Sequence, residues 1–146
     1  MRPAPATSVS APRRPLVDLA SPATIVTIML ALTAIRLVAA ATIELTEDEA
    51  YYRLWAMAPA WSYYDHPPMV AWWIAAGQAI FGDTTLGIRF FTVTAVSLGS
   101  LAIWRTAILL YDERRTAGRA VIWFNATLLV GIGAMIATPD VPSAFF

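Results

Sequence analysis

Long uncharged apolar runs, separated by short polar stretches punctuated with proline, set the pattern of this chain, and neither strict alternation nor a narrow helical stripe accounts for them. The first run, residues 23–43, is interrupted by Arg36 alone among charged residues and is long enough to cross about 30 Å of hydrocarbon as a helix. A cleavable leader built on Arg13 and Arg14, ending in the small residues Ala39–Ala41, is the competing reading, and the length of the apolar run disfavours it. Residues 44–82 open with the acidic, aromatic stretch ELTEDEAYYRLWAMAPAWSYYDH and continue into PPMVAWWIAAGQAIFG, an apolar helix that is short for a span and suits the membrane surface. Further runs over 86–110 and 119–138 flank the turn YDERRTAGR, and TPDVP then precedes what reads as the start of a fourth span. Residues 1–22, with five prolines among Ala, Ser and Thr, read as a flexible tail outside the fold. The expected architecture is an all-α polytopic membrane protein with about three spans and one outer juxtamembrane helix.

Composition agrees with that pattern: 58% of the 146 residues are hydrophobic and 14% are charged, against about 25% charged in an ordinary soluble domain. The absence of cysteine excludes disulfide frameworks, thiolate metal sites and thiol catalysis within this sequence. A net charge of zero removes any overall field for nucleic acid, so placement of charge matters more than its sum. Arginines cluster at 2, 13 and 14 and again at 114, 115 and 119, whereas five of the ten acids fall between residues 44 and 66. If residues 67–82 lie on the surface and do not span, both arginine clusters share the cytoplasmic side of the inner membrane, as the positive-inside rule favours. The amino terminus is then cytoplasmic, and Asp48, Glu49, Asp65, His66 and Asp140 meet on the outer face.

Several of those residues have both a structural and a chemical reading. Thr46 and Glu49 fit a capping box, while Asp48, in the first helical turn and close to water, is free to serve as a general base. Asp65 suits the N-cap of a helix opened by Pro67 and Pro68, and with His66 it also suits gripping a sugar hydroxyl or a divalent ion. Asp140, between two prolines, reads first as the capping acid of a following helix. Tyr64 belongs to a dense group of Tyr and Trp residues that suits an interfacial belt, and such rings also stack on sugars. Arg36 lies about 12 Å below the outer boundary by helical rise, where a charge must snorkel, pair with an acid or face a polar cavity, which makes it a candidate binding group. Arg53 and Arg89 could each meet an anion, with snorkelling from the helix end as the expected fate of Arg89.

The ordered series EDEAYY, YYDHPPMVAWWI, FGDTTLGIRF, LYDERRTAGR and TPDVPSAFF resembles the amino-terminal part of membrane glycosyltransferases of the C-type (GT-C) fold. It is most similar to the bacterial protein-mannosyltransferase and aminoarabinose-transferase group of glycosyltransferase family 39, over about Arg36 to Phe146. The resemblance implies a polyprenyl-phosphate sugar as donor, an acceptor hydroxyl on protein, lipid or glycan, and reaction on the outer side of the cytoplasmic membrane. It implies Asp48 and Glu49 as the acidic catalytic pair, with Asp48 as base, and Asp65 as the acid that orients the sugar or a divalent metal ion. His66 stands where the aminoarabinose group tends to carry lysine, and Asp140 matches the acid of a later outer turn. Because such enzymes run to several hundred residues, residues 23–146 are expected to form only the first part of the transferase domain. The alternatives are a non-catalytic membrane protein or remnant that binds partners, and a transporter fragment whose acids and Arg36 mark an ion path.

Overall fold

The computed structural model describes residues 18–146, so all but the end of the expected tail lies outside the described residues. Among the described residues seven α-helices follow one another: α1 (Pro22–Thr42), α2 (Glu47–Ala56), α3 (Met69–Phe81), α4 (Thr85–Tyr111), α5 (Arg114–Ala126), α6 (Leu128–Gly131) and α7 (Asp140–Phe145), with a 3-10 turn at Gly133–Met135 between the last two. The protein is a multi-pass membrane protein in which α1 and α4 are each long and apolar enough to cross a bilayer. Helix α1 starts where Ser21 accepts a hydrogen bond from the Thr24 amide and Pro22 supplies a first-turn residue with no donor to satisfy.

Helices α1 and α4 pack antiparallel. The Thr85 hydroxyl donates to the Ala41 carbonyl at one end, Thr33 and Ser97 share a hydrogen bond of 2.7 Å in the middle, and Ile25 and Met29 meet Ile103 and Trp104 at the other. The short helix α3 folds back on α4 across Gly82, whose φ of 72° is accessible to glycine at little cost. At 13 residues α3 is about 20 Å long, well short of a span, as its sequence implies. A Cβ on Gly77 would collide with the backbone oxygen of Gly87, so only glycine permits this approach. Gly77→Ala is expected to cost about 1–3 kcal/mol by forcing α3 from α4. Gly99→Ala, whose Cβ would meet Phe124 at an ordinary 3.6 Å, is the matched control, and thermal unfolding in detergent compares the two.

Three expectations need correction. The third apolar run is not one helix over 119–138. It begins at Arg114 and breaks at Thr127, and Arg114–Ala126 and Leu128–Met135 form a 74° bend, so a third span exists only if both arms are counted together. The break has a local cause: Thr127 is extended (φ −66°, ψ 146°) and its hydroxyl caps the next turn by accepting from the Val130 amide. Asp65 is not an N-cap, because α3 starts only after Pro68, with no side-chain cap. Asp140 is the first residue of α7 behind Pro139 and makes no capping bond.

Candidate functional site

The site is built on the first turn of α2. Thr46 Oγ1 accepts from the Glu49 amide, and Glu49 Oε2 accepts from the Thr46 amide at 3.0 Å, which completes the capping box expected from the spacing. Glu49 does more than cap, however. It is fully buried, and Arg89 on α4, 2% exposed, donates from Nε to Oε1 and from Nη2 to Oε2, both at 2.7 Å. The Ala137 amide, in the extended segment after the 3-10 turn, donates to Oε1 at 2.9 Å. Arg89 also reaches the carbonyls of Ile43 and Glu44 at the end of α1. Burial by itself would push the Glu49 carboxyl up, but the Arg89 hydrogen bonds, the Thr46 and Ala137 amides and the Arg89 charge together hold it below the usual carboxylate value.

Arg89 thus does not snorkel, contrary to expectation. A bidentate partner and two backbone carbonyls satisfy its fork of donors inside the protein, so it ties α1, α2 and α4 at one point, and Glu49 adds the segment before α7 through the Ala137 amide. Glu49, named from sequence as one of the acidic pair, has its lone pairs filled by these bonds.

Asp48, its neighbour, points the other way and is exposed on the first turn of α2, near the positive helix end. Asp65 and Asp140 are exposed as well. Burial raises the phenol of Tyr52, on α2, above the usual tyrosine value, and the charges of Asp48, Asp140 and Asp65 and the Tyr51 phenol raise it further. Tyr51 donates from its hydroxyl to Asp65 Oδ2 at 3.0 Å, and this bond raises its own phenol. His66 packs beside the rings of Tyr52 and Trp55, with centroids 5.8 and 6.2 Å away, and its Nδ1 is buried with no hydrogen-bond partner among the described residues. Tyr64 is fully exposed.

Two other candidates stand apart from this group. Arg53 pairs with Asp83 beyond α3, through Nε at 2.7 Å and through Nη2, and the pair holds the Asp83 carboxyl below its usual value. Arg36, 4% exposed inside the bundle, donates to Asn125 and to the Val130 carbonyl and meets no carboxylate among the described residues. Among the described residues no three His, Asp or Glu side chains stand close enough together to hold a metal ion, so the divalent-ion expectation rests on the Asp65 carboxylate alone.

The family described as dolichyl-phosphate-mannose-protein mannosyltransferase matches residues 65–146, more than half of the chain. Asp65, His66 and Asp140 lie inside that stretch, and Asp48 and Glu49 precede it. The chain is similar to the undecaprenyl phosphate-alpha-4-amino-4-deoxy-L-arabinose arabinosyl transferase of Aeromonas hydrophila subsp. hydrophila, 33% identical over 72 residues, which are 49% of this chain and 13% of that protein. The protein of the same description from Pseudomonas aeruginosa is 33% identical over 70 residues, 47% of this chain and 13% of the relative. An uncharacterized protein of Aquifex aeolicus is 29% identical over 80 residues, 55% of this chain and 16% of that one. The matched stretch is thus a small fraction of these relatives' length. No solved structure matches the chain. From the family match over its last 82 residues, the chain belongs to the dolichyl-phosphate-mannose-protein mannosyltransferase family, a family of membrane glycosyltransferases.

Proposed function

We propose that this chain is the amino-terminal part of an enzyme that transfers a sugar from a polyprenyl-phosphate donor to an acceptor hydroxyl on the outer side of the cytoplasmic membrane. The observation that carries the reading is the acidic first turn of α2, where Asp48 is exposed beside a Glu49 that is bonded to Arg89 and, through the Ala137 amide, to the segment that leads into Asp140. Asp48 is the base. It takes the proton of the acceptor hydroxyl as that oxygen attacks the anomeric carbon, and polyprenyl phosphate leaves with the bonding electron pair. Asp65, steadied by Tyr51, and Asp140 orient sugar or acceptor hydroxyls, while His66 and the exposed Tyr64 supply an imidazole and a stacking ring. The family match and the printed descriptions of the arabinosyl transferases support the donor class. Acceptors of this chemistry include protein, lipid and glycan hydroxyls. The arrangement of arginines supports the outer side.

The test uses the full-length protein in its membrane. Transfer from a labelled polyprenyl-phosphate sugar is expected, and a requirement for a nucleotide sugar as direct donor would overturn the donor class. Sidedness is read by single cysteines at Tyr64 and Arg115, both exposed. The Tyr64→Cys thiol is expected to react with an impermeant maleimide in intact cells and the Arg115→Cys thiol only after lysis; the reverse pattern would overturn the placement.

A further inference from the structure

Arg36 sits within a membrane-spanning helix, 4% exposed, and no carboxylate among the described residues pairs with it. A charge so placed is expensive, and its bonds show where it acts. Nη1 donates to Asn125 Oδ1 at 2.9 Å, and Nη2 donates to the Val130 carbonyl at 3.2 Å. Asn125 lies in the last turn of α5, before the break at Thr127, and Val130 lies in α6, after it. One rigid guanidinium is therefore tied to both arms of the 74° bend. Asn125 is held in turn: its Nδ2 donates to Ser100 Oγ on α4 at 2.9 Å and to the Val121 carbonyl at 3.0 Å, while Ser100 donates to the Val96 carbonyl. The Val130 carbonyl is among those a short helix leaves without an internal partner at its end, so Arg36 satisfies a group that the bend exposes.

The far arm of the bend leads directly to the site. From Val130 the chain passes through the 3-10 turn to Ala137, whose amide is held by Glu49, and then to Asp140. Arg36 and Glu49 thus anchor the two ends of the segment that delivers Asp140. We propose that Arg36 is a positioning residue that sets the bend in the third membrane segment and thereby holds Asp140 beside the α2 carboxylates. This rests on the reading of Asp48 and Asp140 as parts of one transfer site. A lysine's three donors radiate from one nitrogen, whereas Arg36 reaches the two arms from two separate nitrogens held in one plane.

The test is amide hydrogen exchange on the full-length protein in lipid nanodiscs, followed by transfer kinetics. Arg36→Met is expected to speed exchange of residues 128–139 by about tenfold or more while α1 and α4 keep their protection. Arg36→Lys restores that protection in part. In transfer assays Arg36→Met lowers kcat by about tenfold or more and leaves the donor KM nearly unchanged, because Arg36 does not touch the donor. If Arg36→Met does not assemble, Asn125→Ala removes the tether on the near arm, and the same two readings apply. Unchanged exchange over 128–139, or a loss of protection spread equally through α4, overturns the proposal, as does an unchanged kcat where Asp48→Asn abolishes transfer. Exchange is measured without substrate, so a failure of the Asp48 assignment leaves the Arg36 result readable and distinct.

Discussion

Glu49→Ala is expected to destabilise the protein by about 3–5 kcal/mol, because it leaves the Arg89 guanidinium buried without its counter-charge. The alanine also removes the acceptor of the Thr46 and Ala137 amides, which frees the start of α2 and the segment before α7 together. Two controls separate charge from contact. Glu49→Gln retains the shape but not the charge and is expected to fall between wild type and alanine. The double variant Glu49→Leu with Arg89→Met removes both charges, and is expected to recover the part of the loss that comes from the unpaired Arg89 charge, while the Thr46 and Ala137 amides stay without their acceptor. Denaturant or thermal unfolding in detergent, followed by circular dichroism, measures all three. A Glu49→Ala variant within about 1 kcal/mol of wild type would mean that the Arg89 contact is as weak as a surface pair.

Asp48→Asn, one residue away, is expected to behave in the opposite way. The side chain is exposed on the first turn of α2, so the substitution leaves the unfolding midpoint nearly unchanged. Amide for carboxylate retains shape while removing the proton acceptor. The expected loss in kcat of the full-length enzyme is about 10²–10⁴-fold, the usual contribution of a general base, with donor KM altered little. Under the proposed assignment, adjacent acids divide the work. Losing Glu49 costs stability first and activity as a consequence, whereas losing Asp48 costs activity alone, and measuring both quantities on both variants tells a scaffold from a base.

The capping box was legible because it is a local device: a Thr and a Glu three apart specify it whatever surrounds them. The spans of α1 and α4 were legible for a similar reason, since length and apolarity are counted along the chain. Arg89 was misread because the cue for snorkelling, an arginine near a helix end, is also local, while its partner lies 40 positions earlier. The break at Thr127 was hidden in an uninterrupted run of uncharged residues, where one threonine with an extended backbone ends a helix without any change in hydropathy. Asn125 and Ser100 passed unnoticed for a related reason: a small polar residue in a span gains meaning only when a buried arginine on another helix meets it. Charge placement set Asp48, Asp65 and Asp140 on one outer face; in the structure all three are exposed, while Tyr52, buried on α2, was read only as one more aromatic. The capping roles first assigned to Asp65 and Asp140 failed because paired prolines delay one helix and Pro139 takes the cap position of the other.

The measurement that tests the central claim most directly is sugar transfer by the full-length protein, wild type and Asp48→Asn side by side, in sealed vesicles of known orientation. A labelled polyprenyl-phosphate sugar and an acceptor are confined to one side. Rapid transfer from the face that is outermost in the cell, reduced about 10²–10⁴-fold by Asp48→Asn at unchanged unfolding midpoint, is the result this account predicts. Transfer from the cytoplasmic face alone, or equal rates for the two proteins, would contradict it.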